Sequence, residues 1–240
     1  MIGDLEGRVR RVVWQGVEDK LGLDTSGHGT DHVNRVHDLS MRFCDSYPVI
    51  DRDVVAFASM LHDVDDYKIV GRERAAKLAN ATEIMNRAGI DSDLQTAICG
   101  VIATMGYSKA LKGIRPSSLE GMIVSDADMC DAIGASGIER ALTYAISDKG
   151  SGVVFDETVW PITNITAEQY NGGGTTHQTD SFINHFFEKL LLLPGMMLTK
   201  PGRQEAAMRD EVMISYLRGY FRERHLPQWE RFLEEFIALR

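Results

Sequence analysis

The sequence predicts an all-α fold, and three observations carry that reading. Apolar residues recur at helical spacing through most of the 240 residues. Several of the segments with this spacing are closed by glycine or proline, the residues that stop helices. Where the spacing is lost, over about 147–180, strong helical patterns resume directly afterwards. That stretch is therefore an irregular insertion within one helical domain, 1–240, and not a linker between two.

The elements follow in order. TDHVNRVHDLSMRFCDSY puts Val33, Val36, Ser40, Phe43 and Cys44 on one stripe, with Thr30 or Asp31 as its cap. DRDVVAFASMLHDVDDY is apolar nearly all round, the mark of a central, buried helix. RERAAKLANATEIMNRAG reads as one helix stopped by Gly89, and further helices are expected at about 91–104 and 117–132. The insertion contains SDKGSG, the pair Trp160-Pro161 and NGGGTTHQTD, and reads as a long loop or lid. DSFINHFFEKLLLL opens on Asp180 or Ser181 and ends before Pro194; QEAAMRDEVMISYLRGYFRE and QWERFLEEFIAL finish the chain as amphipathic helices. Met196, Met197 and Met208 join the leucines as core packing.

Composition narrows the function. The apolar fraction of 44% and charged fraction of 25% are those of a folded protein. A net charge of −9 argues against nucleic acid polymers as partners, because phosphate backbones need a surplus of Lys and Arg. It does not exclude a small phosphorylated ligand, which a few local cations can hold. Cys44, Cys99 and Cys130 are too few and scattered for a disulfide framework and are expected as reduced thiols. The opening residues carry no apolar leader-like run and no stretch reaches membrane-spanning length, so a cytoplasmic location is expected.

Three clusters carry chemistry. His32 stands in HGTDHVNRV, His62 and Asp63 end the most buried helix, and Asp126, Asp128 and Asp131 stand in SDADMCDAIG between apolar flanks. Charged groups beside a core are costly unless paired or bound to a metal. A buried His–Asp pair alone is often only a structural hydrogen bond; three such clusters together point to one shared metal site. Two imidazoles and two carboxylates suit an octahedral ion that keeps two waters, Mn²⁺, Fe²⁺, Co²⁺, Ni²⁺ or Mg²⁺, better than closed tetrahedral zinc. On a helix at ~100° per residue, Asp126 and Asp128 point apart, so only one of them can face the ion.

His32-Val33-Asn34-Arg35-Val36, His62-Asp63 and Ala127-Asp128, in that order, resemble the HD-domain superfamily of metal-dependent phosphohydrolases. HDVDDYK, SDADMCDAIGASGIER and SFINHFFEKLLLL are similar to phrases of its small bacterial members, and the resemblance covers most of 25–225. Met129-Cys130 departs from the usual pattern and 150–175 matches nothing in it. The resemblance implies hydrolysis of a phosphate ester or phosphoanhydride, most plausibly of a nucleotide, with His32, His62, Asp63 and Asp128 as ligands. Asp126 is then expected to face outward or to steady a neighbouring helix, and Asp131 to support the site.

Around these ligands, Asp66 follows Asp63 by one turn and is the candidate to position or deprotonate water, against the plainer reading of a solvated helix end. Arg35, one turn past His32, and Lys68, just after the HD motif, are the candidate catalytic cations. Lys109, His185 and Lys189 are further candidates for phosphate through the resemblance. His28 either meets phosphate, protonates a leaving group or braces its own loop. His37, His177 and His225 are read as structural or surface. No histidine lies between Asp63 and Asp128, the interval from which two-metal relatives draw extra ligands, so one ion is expected. The competing reading is a non-catalytic module that uses the same site to sense a nucleotide or metal.

Overall fold

The computed structural model describes residues 2–22, 29–66, 70–148, 150–163 and 181–240, with the side chains of 2–6 and Arg72 excepted. His28, Lys68, His177 and Asp180 lie outside the described residues. Among those described there is no strand, and the fold is all-α. The chain divides into two compact units, Met1–Asp128 and Met129–Arg240.

The first unit holds α1 (Ile2–Leu21), α2 (Thr30–Cys44), α3 (Arg52–Leu61), α4 (Arg72–Ala76), α5 (Ala79–Ala88), α6 (Ser92–Thr104), α7 (Tyr107–Ala110) and most of α8 (Leu119–Asp131). Every residue of α3 from Val54 to Leu61 is buried, as an all-round apolar helix requires, and α1, α2 and α6 pack around it. Each large apolar side chain buried there stabilises the fold by roughly 1.5–3 kcal/mol. Asp51 starts α3 by accepting from the amides of Asp53 and Val54. In α2 the buried face runs His32, Val33, Val36, Leu39, Ser40, Phe43 and Cys44, so His32 faces the core from the first turn. Neither Thr30 nor Asp31 caps α2: the cap position is Gly29, with no side-chain bond.

The expected single helix over RERAAKLANATEIMNRAG is broken in two. Leu78 sits in the left-handed region at φ 47, between α4 and α5. That conformation costs a leucine roughly 1–3 kcal/mol, and a distant side chain supplies the compensation described below. Gly89, also left-handed, ends α5 as expected. α1 crosses α5 at Gly16, where an added Cβ would come within 2.7 Å of Ile84.

The second unit holds α9 (Gly134–Ile146), α10 (Phe182–Glu188), a 3₁₀ run (Leu190–Met196), α11 (Lys200–Glu223) and α12 (Pro227–Leu239). Ser181 caps α10, and the chain keeps turning through Pro194 instead of stopping before it. Met197 is buried, but Met208 is 61% exposed and is not core. The described part of the insertion, 150–163, is strapped down. The amides of Phe182 and Ile183 donate to the carbonyls of Val153 and Val154, Asn184 Nδ2 donates to Val159 O, and Trp229 Nε1 donates to Glu157 O. Trp160 stacks on Trp229 at 4.3 Å, and Phe155 meets Trp229 edge-on at 5.0 Å. All three cysteines are free thiols, and burial pushes those of Cys44 and Cys99 above the usual range. No described helix is long and apolar enough to cross a membrane.

Candidate metal centre

Three elements of the first unit deliver the polar cluster. α2 brings His32 at its first turn, the residues that follow α3 bring His62 and Asp63, and α8 brings Asp128. α3 ends at Leu61, and the chain then turns tightly, with the amide of Val64 on Leu61 O and that of Asp66 on Asp63 O at 3.0 Å. The end of a fully buried helix thus hands two polar side chains to one point.

The donor atoms converge. His32 Nε2 lies 3.2 Å from His62 Nε2, 3.4 Å from Asp63 Oδ2 and 3.5 Å from Asp128 Oδ1. His62 Nε2 lies 3.6 and 3.9 Å from the same two carboxylates. The atoms of His32, His62 and Asp63 all fall within 4.8 Å of one another, and these three could hold a metal ion. Bonds of about 2.1 Å place neighbouring ligand atoms about 3.0 Å apart at right angles and about 3.4 Å apart at the tetrahedral angle. Two ring nitrogens facing each other repel unless a proton or a cation lies between them, so the donor set fits a cation.

The surroundings fix the rings. Ser59 O lies 2.8 Å from His62 Nδ1; a carbonyl only accepts, so Nδ1 is the donor and the lone pair of the neutral ring is on Nε2, inside the cluster. Ser59 Oγ donates to Ala56 O and so accepts from Nδ1 of His37, which is held by this bond. Burial pushes the pKa of His37 down. At Asp128 burial pushes the carboxyl up, but the hydrogen bond from His32 and the positive charge that His62 and His32 carry when protonated outweigh it, despite Asp63 nearby. The group sits below the ordinary carboxylate range. Exposure is uneven: the His32 and His62 side chains are 3% and 2% exposed, those of Asp63 and Asp128 13% and 26%. The imidazoles form the floor of the site and the carboxylates its open side.

Other expected residues fall as follows. Arg35 is exposed on α2 and Asp66 is half-buried in the turn; each has a polar or charged interaction. Lys109 donates to Ile102 O at 2.9 Å, near the end of α6, and burial holds its ammonium below the ordinary lysine range. His185 and Lys189 are half-buried in the second unit, on and just after α10. Asp126 is fully buried and does not face outward; Asp131 is buried against Arg140, at 2.7 Å. Sequence reasoning missed Asp65, which is 5% exposed and accepts two backbone amides. Only its place between two other acidic residues hinted at a role.

No known family profile matches the chain. It is 30% identical over 203 residues to YpgQ, an uncharacterised protein of Bacillus subtilis, covering 84% of this chain and 87% of that protein. A crystal structure of YpgQ in complex with ADP superposes with a TM-score of 0.60, at 26% identity over 89% of this chain and 97% of that one. A Lactobacillus plantarum protein of known structure is 34% identical, over 89% of this chain and 95% of its own, with a TM-score of 0.74. The structure of a Bacillus thuringiensis HD-superfamily hydrolase matches over 92% of this chain and 98% of its own, at 25% identity and a TM-score of 0.67.

Proposed function

The chain belongs to the HD superfamily of hydrolases, and from that premise we propose that it cleaves a small phosphorylated metabolite, most plausibly a nucleotide. The scissile bond is a phosphate ester or a phosphoanhydride. The observation that carries this reading is the convergence of His32, His62, Asp63 and Asp128 on one point. One divalent ion held there, Mn²⁺ before Mg²⁺, Co²⁺, Ni²⁺ or Fe²⁺, would neutralise phosphoryl charge and bring a water toward its anion near neutral pH.

The remaining work falls to side chains. Asp66, held one turn beyond Asp63, accepts the proton of the attacking water or orients it. Arg35 and Lys68 offset the negative charge that grows on the phosphoryl oxygens. His28, Lys109, His185 and Lys189 contact the rest of the substrate, Lys109 with the donors its bond to Ile102 O leaves over. The ADP bound by YpgQ supports a nucleotide as the ligand class. The test is a screen of nucleoside mono-, di- and triphosphates with Mn²⁺, reading phosphate against pyrophosphate. Metal-dependent turnover of at least one class is expected. Binding of nucleotide and metal with no turnover of any would make the domain a sensor instead.

A further inference from the structure

The turn after α3 carries two adjacent aspartates with different surroundings. Asp66 is half-buried, whereas Asp65 is buried and turned into the protein. Asp65 Oδ1 accepts from the amide of Asn80 at 2.9 Å, and Oδ2 from that of Ala81 at 2.8 Å. Asn80 answers with Nδ2 donating to Val64 O at 2.7 Å, and Arg74 donates to Asn80 Oδ1 at 3.3 Å. The backbone is therefore gripped at Val64 and the side chain at Asp65, between the proposed ligand Asp63 and the proposed base Asp66.

A helix is ordinarily capped by its own preceding residue. Here that residue is Leu78, left-handed and unable to cap, and the carboxylate arrives from the HD turn instead. A carboxylate from position 65 also ties the residue next to Asp66 to the start of α5. We propose that Asp65 and Asn80 form a clamp that positions Asp63 and Asp66 for metal binding and water attack. Asp65 is thus a positioning residue that touches neither ion nor substrate. The proposal rests on the hydrolase reading above.

The experiment is a Mn²⁺ titration of the chelator-stripped chain, followed by calorimetry, with thermal unfolding run in parallel. The variants are Asp65→Ala, Asp65→Asn, Asn80→Ser and, as control, Asp91→Ala. Asp91 caps α6 through the amides of Asp93 and Leu94. It matches Asp65 as a cap but has no part in the HD turn. Asp65→Ala is expected to weaken Mn²⁺ binding about 10–100-fold, the usual effect of removing a group that supports a ligand. Asp65→Asn, which keeps one acceptor, and Asn80→Ser should lose less, and kcat should fall in all three more than KM changes. Asp91→Ala should lower the unfolding midpoint and leave the Mn²⁺ affinity alone. Should Asp65→Ala not fold, the two milder variants carry the measurement. Parent affinity in both, with only the midpoint lowered, would overturn the clamp and leave the hydrolase reading standing. A parent chain that takes up no metal would overturn both.

Discussion

In the first unit the irregular backbone at 62–66 is held by polar atoms; in the second, the irregular stretch 150–163 is held by hydrogen bonds and by rings together. The HD turn depends on a few directed bonds, among them Ser59 O to His62 and the pair of amides on Asp65. The 150–163 segment is pressed onto Trp229 by Trp160 and Phe155, and Phe155 also meets Tyr220 and Phe221. Directed bonds fix where an atom sits, so losing one moves the site as well as leaving a buried group unpaired, at about 1–3 kcal/mol. Ring contacts are spread over large faces, so losing one lowers stability and leaves most of the arrangement in place. Both stretches are thus placed by directed bonds, and the second adds ring packing to them.

The comparison can be broken at its polar end first. Chelation should abolish turnover, and Mn²⁺ should restore it at one ion per chain; metal analysis showing two tightly bound ions would end the single-ion reading. Asp128→Ala should lose the metal as well. Next, Asp66→Asn should retain Mn²⁺ binding while turnover falls by roughly 10²–10⁴, the scale of a lost general base. Unchanged turnover would return Asp66 to a structural role. At the aromatic end, Trp229 is fully buried, and Trp229→Ala should cost about 3–5 kcal/mol, read as a lowered unfolding midpoint with Mn²⁺ affinity retained. Trp160 is 45% exposed, so Trp160→Ala should cost only about 0.5–1.5 kcal/mol. A site variant that lowers stability more than Trp229→Ala does would erase the distinction between the two regions.

The choice of Asp128 among the aspartates of SDADMCDAIG came from the resemblance. The meeting of His32, His62 and Asp63 with that cluster was legible in the sequence because each stands in a short phrase beside core residues, and a buried polar group needs a partner. α3 was legible for the same reason: an apolar run with no polar face has to be central. The break at Leu78 was not. Every local signal from Arg72 to Ala88 favours one helix, and the break is imposed by a tertiary carboxylate that no spacing rule connects to it. Asp126 is expected to face outward because it points away from Asp128 on the helix, but that side is core as well, with Ile123, Val124 and Ala127 all buried. The strapping of 150–163 was invisible for a third reason. Phe155 and Trp160 find their partners in α11 and α12, far along the chain, where no local periodicity can point.

The crossing of α1 over α5 at Gly16 lies against the helix that Asp65 caps. A methyl group at that position would meet Ile84 at 2.7 Å and press on the helix whose first turn Asp65 holds. Gly16→Ala should therefore act as a remote lesion, weakening Mn²⁺ binding by a small factor in calorimetry although no ligand has been altered. Genetic screens that score only lost turnover would place α1 among the functional elements. The cause would be mechanical: a helix displaced by one carbon atom at its middle and felt at its end.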